Sequence, residues 1–205
     1  ANRVPFDDRG NENISIDDIS PLLLKDYLTK IDSRLAKANF ATDIETILDQ
    51  MQLYDGPKEK RIIKNVAAMM FSEHPEKFFP TTQVDIVVFP KGREVDPENF
   101  IEVPPIKGPV PMMIRNSLEY LRTNIIKERI TKPTDDERSL KVFNYPFQAL
   151  EEADVNALYH RDYKEREPVE ITIEPDRISI LSYSGPDRSI SLESLKEANM
   201  LRSRR

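Results

Sequence analysis

Apolar residues recur along the first half of the chain at helical spacing and along the second half in runs of both helical and strand period. Ser20-Pro21 supplies an N-cap followed by proline at the first helical position, and Leu22, Leu23, Leu24, Tyr27, Leu28 and Ile31 then mark an apolar face. A second helix is predicted from Asp43 to Leu53, with Ile44, Ile47, Leu48 and Met51 on one side, stopped by Asp55-Gly56-Pro57. A third is predicted over residues 60–72, from Ile62, Ile63, Val66, Ala67, Met69, Met70 and Phe71, and His74-Pro75 interrupts it.

Thr82 to Phe89, with Val84, Ile86, Val87 and Val88, reads as a buried strand, and Pro90-Lys91-Gly92 turns the chain. Prolines dominate the stretch from Asp96 to Pro111, which predicts an extended connection with one short strand near Phe100 to Val103. A long helix is predicted over Met112 to Ile130, its stripe formed by Met113, Ile114, Leu118, Leu121, Ile125 and Ile126. Leu140 to Tyr145 reads as a strand, Pro146 opens a helix, and Val169–Glu174 with Arg177–Tyr183 alternate around Pro175-Asp176 as a hairpin. A last short helix is predicted over Ser191 to Ala198. This order gives an α+β class: a helical first half leading into a mixed sheet flanked by helices. Three regions are expected: an extended lead-in over 1–18, a helical and α/β middle region over 19–135, and a C-terminal portion over 136–205.

Composition narrows the chemistry. With 205 residues, 39% hydrophobic and 32% charged, the chain can bury a core. A formal charge of −6 and a pI near 5.2 argue against an extended nucleic-acid surface on the chain itself. The absence of cysteine excludes disulfides, thiolate metal sites and cysteine nucleophiles, and the 2 histidines leave little for a transition-metal cage. No run approaches the roughly eighteen apolar residues of a membrane helix, and no secretory signal pattern opens the chain, so a cytoplasmic location and no membrane partner are expected. The chain begins at Ala1 and ends at Arg205 directly after a helical pattern, which reads as part of something longer.

The candidate chemistry lies at residues 151–163. Glu152, Asn156 and His160 are spaced four apart, and each such step turns a helix by about 400°, so the three side chains line one edge. A carboxylate, a carboxamide and an imidazole in a row can hold a metal-bound phosphate, or can be a solvated helix face. On the same helix Asp154 neighbours Leu150 and Leu158, so it needs a partner or a path to solvent. The five glycines, Gly10, Gly56, Gly92, Gly108 and Gly185, form neither a G-x-G-x-x-G loop nor a G-K-[ST] cradle, which removes Rossmann and P-loop chemistry from this segment. His160-Arg161-Asp162 copies three letters of a kinase catalytic loop, but Glu167 stands where its metal-binding Asn belongs, and no D-F-G follows. Serines have no G-x-S-x-G elbow.

Several of these segments together resemble a known family. Gly108-Pro109-Val110-Pro111-Met112-Met113-Ile114, Tyr145-Pro146-Phe147-Gln148-Ala149-Leu150 and the run from Glu152 to His160-Arg161-Asp162-Tyr163 are similar to bacterial and archaeal predicted transcriptional regulators often labelled "ATP-dependent DNA helicase RecG-related". Arg3-Val4-Pro5-Phe6-Asp7 and Phe78-Phe79-Pro80 carry the resemblance further. It implies a C-terminal portion of GHKL (Bergerat-type) ATPase kind, so that residues 136–205 would be an incomplete GHKL-like α/β sandwich. It also implies a Schlafen/AlbA-like DNA-binding domain before this segment, so that DNA is a partner through a flanking domain, and a homo-oligomer is expected for such a regulator.

By the same resemblance the helix would be the N-box, with Glu152 as general base toward water, Asn156 as ligand to the Mg²⁺ that bridges ATP phosphates, and His160, Ser184 and Gly185 beside the nucleotide. ATP and Mg²⁺ are the implied cofactors. The chain departs from that pattern after its second hairpin strand, where Ser182-Tyr183-Ser184-Gly185-Pro186 replaces the D-x-G-x-G motif whose Asp binds adenine. The function implied is a regulatory or scaffold module of a DNA-binding regulator with a degenerate nucleotide-binding half, or alternatively a working Mg-ATP-binding or hydrolysing switch. Helicase motor activity is not implied, because the phosphate loop that a motor needs is absent.

Overall fold

The computed structural model describes residues 4–125, 128–131, 140–143, 147–159, 167–182 and 188–191, with side chains outside 126–146 and 183–205. The chain divides into two compact units, Ala1–Thr82 with Lys107–Pro111, and Gln83–Ile106 with Met112–Arg205. The boundary expected at 135/136 lies outside the described residues.

The first unit holds helices α1 (Pro21–Lys30) and α2 (Ile44–Gln50), the short paired strands β1 (Tyr54–Asp55) and β2 (Ile62–Ile63), and helix α3 (Asn65–Phe71). The Ser20 hydroxyl caps α1 by accepting from the Leu23 amide at 3.4 Å, as the Ser-Pro signal predicts. Leu24 and Leu28, one turn apart, are fully buried, whereas Leu22 and Ile31, expected on the same face, are exposed. The helix predicted over 60–72 is shorter at its start, because distant backbone claims its first residues. Asn11 N–H donates to the Ile63 carbonyl at 2.9 Å and Lys64 N–H to the Leu53 carbonyl at 2.9 Å, so Ile62 and Ile63 extend as β2.

The expected lead-in is instead bound into this unit. Asn65, buried at the first position of α3, donates from Nδ2 to the Phe6 carbonyl at 2.9 Å and accepts the Asn11 amide on Oδ1 at 2.9 Å. Its backbone N–H reaches the Arg9 carbonyl, and the Val66 N–H reaches that of Asp7. Gly10 bridges to Lys64 and packs so closely that an added Cβ would stand 2.8 Å from Ile62 Cγ2. Phe6 completes the attachment with an edge-on contact to Phe79 at 5.9 Å.

The second unit is built on β3 (Gln83–Val88), β4 (Ile101–Glu102), β5 (Ile106–Lys107) up to Ile106, α4 (Val110–Asn124) from Met112 onward, β6 (Glu128–Thr131), β7 (Leu140–Phe143), α5 (Phe147–Tyr159), β8 (Val169–Ile173), β9 (Arg177–Leu181) and β10 (Arg188–Ser191). The sheet runs β10-β9-β8-β3-β4, with β5 also on β3. It is mixed: β3 and β8 are parallel, and the pairs β8–β9, β9–β10 and β3–β4 are antiparallel. The fold is therefore α+β, a helical first half followed by a mixed sheet flanked by helices. The long helix predicted to Ile130 stops at Asn124, and Glu128–Thr131 pairs with Leu140–Phe143 as a two-stranded ribbon. Among the described residues no helix is long and apolar enough to cross a membrane. The short helix predicted at 191–198 lies outside the described residues, apart from Ser191, which ends β10.

Parallel register places Val84 beside Val169, Ile86 beside Ile171 and Val88 beside Ile173. With Ile178 and Ile180 these residues make one apolar face, and α5 packs on β9 with Leu150, Ala153, Ala157 and Leu158 buried. The alternate residues Gln83, Asp85, Glu170, Thr172 and Ser179 point to the other face and stay half-buried.

Asn65→Ala should lower unfolding stability by roughly 2–4 kcal/mol, because the buried Asn65 side chain no longer bonds the Phe6 carbonyl and the Asn11 side-chain amide. Urea denaturation is the measurement. A loss below about 0.5 kcal/mol would show that residues 4–13 are not anchored by this side chain.

Candidate functional site

Helix α5 forms because Phe147 to Tyr159 contains no glycine or proline and places Leu150, Ala153, Ala157 and Leu158 on one stripe. Glu152 and Asn156 fall beside that stripe, one turn apart on a shared edge, as the spacing predicts. Glu152 is exposed and Asn156 is half-buried. His160, Ser184 and Gly185, the other candidate contacts of a nucleotide, lie outside the described residues. At the far end of β9, the Ser182 hydroxyl donates to the Ala157 carbonyl at 3.1 Å, tying the sheet to the last turn of α5. Ser182 opens the stretch that stands where the adenine-binding motif was expected, and its hydroxyl is engaged with the helix backbone.

On the opposite, polar face of the sheet lies a cavity of about 670 Å³ that the sequence did not announce. Its floor is β3 and β8, where Asp85 and Glu170 are direct ladder partners and Thr172 follows. Residues 89–105 form its wall, with Phe89 and Phe100 tilted against each other at 5.9 Å and the Arg93 guanidinium 5.8 Å above the Phe89 ring. Burial pushes the Glu170 carboxyl above its ordinary range, Asp85 and Glu167 push in the same direction, and Arg93 opposes them. Gln83 Nε2 donates to Asp85 Oδ1 at 2.7 Å, which holds one of the two carboxylates in place. Such a lining suits a small molecule that offers a donor or positive group to the floor and a flat apolar part to the wall. Among the described residues no group of three or more His, Asp or Glu side chains is arranged to hold a metal ion. Gln83, Asp85, Glu170 and Thr172 alternate with apolar neighbours, which marks strands buried on one face only but does not announce a cavity.

The wall is set by a buried carboxylate at the hairpin. Glu174, 7% exposed, accepts the Arg93 backbone N–H on Oε1 at 2.9 Å and the Arg177 Nε–H on Oε2. The Glu174 N–H donates to the Arg177 carbonyl at 2.9 Å, so the carboxylate is fastened to its own turn while it holds residue 93. The Arg177 hydrogen bond is the main reason the Glu174 carboxyl sits below its ordinary range, helped by the Arg93 N–H and opposed by burial. Gly92, at φ +90°, supplies the left-handed bend before Arg93 that a side chain would resist.

No protein-family model matches the chain, and no curated protein matches it. Among solved structures the fold is similar to the DIP2311 protein from Corynebacterium diphtheriae, with a TM-score of 0.58 and 19% sequence identity over 88% of this chain and 34% of that one. The chain thus spans about a third of the length of DIP2311. At this identity the likeness concerns the fold alone.

Glu174→Gln should change how stability responds to acid. A carboxyl whose folded value is depressed stabilises the fold above its unfolded value, and that stability is lost as pH falls through the folded value. Thermal melts across about pH 3 to 6 should therefore fall less steeply for Glu174→Gln than for the parent chain. Equal slopes would mean that the Arg93–Glu174–Arg177 clamp does not contribute to the acid response.

Proposed function

We propose that this chain is a regulatory or scaffold module of a DNA-associated transcriptional regulator, with a degenerate GHKL-like nucleotide-binding half over 136–205. The proposal rests on the resemblance carried by the segments at 108–114, 145–150 and 152–163. The observation that supports it most is the bond from Ser182 to the Ala157 carbonyl. At the start of the stretch where an adenine-binding carboxylate belongs, the chain has a hydroxyl bound to the helix backbone, so a nucleotide base would find no acidic anchor in Ser182. DNA contact is assigned to a flanking domain, in keeping with the net charge of −6. The module would work in the cytoplasm, as a homo-oligomer if its DNA sites are paired.

A second reading, a Mg-ATP-binding or hydrolysing switch, is favoured by one observation: Glu152 and Asn156 share one edge of α5, one turn apart, with Glu152 open to solvent. In that reading the Asn156 carboxamide would serve as an oxygen ligand to a Mg²⁺ carried by the triphosphate, and Glu152 would take a proton from attacking water. His160, Ser184 and Gly185 would complete the phosphate contacts.

Isothermal titration with Mg-ATP separates the two. The degenerate module should give no heat at millimolar nucleotide, whereas saturable binding abolished by Asn156→Ala would establish the switch and remove the first reading. Duplex DNA should bind weakly, if at all, to this chain at physiological salt. Tight binding would show that the chain itself, and not a flanking domain, contacts DNA.

A further inference from the structure

The cavity on the polar face of the sheet is used neither by the nucleotide reading nor by the packing of the helices. All of its lining belongs to the second unit. At about 670 Å³ it falls among small-molecule sites, which run from about 300 to 1,000 Å³. The ladder orders its floor. Asp85 of β3 and Glu170 of β8 stand side by side in one row, and Val87 and Thr172 form the next. Glu102 of β4, the partner of Val87, continues that second row. Partners in a row lie about 4.8 Å apart and share a face, so three carboxylates belong to one concave surface.

Glu170 is the carboxylate whose charge is poorly met. It is half-buried, and burial, Asp85 and Glu167 all disfavour its ionised form. Among the described residues it accepts no hydrogen bond, and Arg93, the one cation that eases its charge, stands over the Phe89 ring, 5.8 Å from the ring centre. Asp85 is better served, since Gln83 Nε2 donates to one of its oxygens. The wall has a need of a different kind. Phe100 lines the cavity, meets Phe89 at 5.9 Å, and is still 47% exposed. A large ring left half uncovered beside a cavity is surface that an apolar part of a ligand can remove from water. The guanidinium over Phe89 shows that a cation is accommodated against this wall.

We propose that this cavity binds a small organic cation: a primary ammonium group seated between Asp85 and Glu170, carried on a flat aromatic body that covers Phe100. The ammonium brings three donors, enough for both carboxylates and the Thr172 hydroxyl. A metal ion would answer the charge and leave Phe100 uncovered. A neutral aromatic molecule would cover Phe100 and leave Glu170 as it is. An anion would meet Asp85, Glu102 and Glu170 against Arg93 alone. The site lies on the face of the sheet away from α5, so it stands whether or not Glu152 and Asn156 hold a nucleotide.

The test is titration of the whole chain with phenylethylamine, followed by amide chemical shifts. Binding should saturate with a Kd of about 1 mM, as suits so small a ligand, and the shifted amides should lie on β3, β8 and residues 89–105. Propylamine has the charge without the ring, and phenylpropionate has the ring with the opposite charge; each should bind about tenfold more weakly or worse. Glu170→Gln should weaken phenylethylamine about tenfold, and because it removes a charge that burial already disfavours, it should fold as well as the parent chain. Phe100→Ala, at an exposed ring, should weaken it about fivefold. The proposal is overturned by the absence of saturable shifts up to about 20 mM amine, by equal binding of either control probe, or by undiminished affinity in either variant.

Discussion

The parallel pairing of β3 with β8 is the constraint on which the second unit depends. Parallel neighbours cannot be joined by a hairpin, so everything between Val88 and Val169 must serve as one long connection. That connection contains α4, the β6–β7 ribbon and α5, and its apolar helices have one large surface to cover, the face of Val84, Ile86, Val169 and Ile171. The antiparallel strands β9 and β10 then widen the sheet beyond β8, and β4 widens it beyond β3. Register along β3 and β8 decides which residues face the helices and which face the cavity. A shift by one residue would place Asp85 and Glu170 against α5 and expose the valine and isoleucine rows.

Much of this was legible in the chain because it rests on local chemistry. Ser20-Pro21 starts α1, the β-branched run from Val84 to Val88 gives β3, and the residues on either side of Pro175-Asp176 give the β8–β9 hairpin. What was not legible depended on partners far away in sequence. Ile62 and Ile63 carry helical spacing, yet their backbone pairs with Tyr54 and Asp55, so the longer helix never forms. Glu128–Thr131 continues an amphipathic pattern, yet pairs with Leu140–Phe143. In both places a propensity worth tenths of a kcal/mol per residue met a set of backbone hydrogen bonds worth about as much or more each. The lead-in was misjudged for the same reason: its polarity describes its side chains, while its attachment runs through the Phe6 and Arg9 carbonyls to Asn65.

At the candidate site, spacing predicted a shared edge for Glu152 and Asn156, because four-residue periodicity within a helix is a local property. The cavity on the other face was invisible, since it arises where Asp85 and Glu170, far apart in the numbering, become ladder partners and where residues 89–105 fold over them. Asp154 showed a different kind of legibility. Its position among leucines marked it as needing a partner, but only tertiary packing could name Ser117.

The two faces of α5 make opposite demands on the same helix. Its inner face buries a carboxyl, which is tolerable only if the group stays neutral or finds enough donors, and one serine is too few for a carboxylate. Its outer edge offers Glu152, exposed to solvent, and Asn156, half-buried. A lone carboxamide gives a Mg²⁺ ion one neutral oxygen, and since this ion gives up its waters reluctantly, most of the binding energy of a metal-nucleotide would have to come from elsewhere. In a nucleotide site that remainder is shared between contacts to the base and contacts to the phosphates. With Ser182 bound to the Ala157 carbonyl, the base contact would have no carboxylate at that residue, and the load would fall on the phosphates alone. Phosphate contacts on a chain of net charge −6 gain little from long-range attraction, so they would need closely placed donors in the segments after α5 and β9.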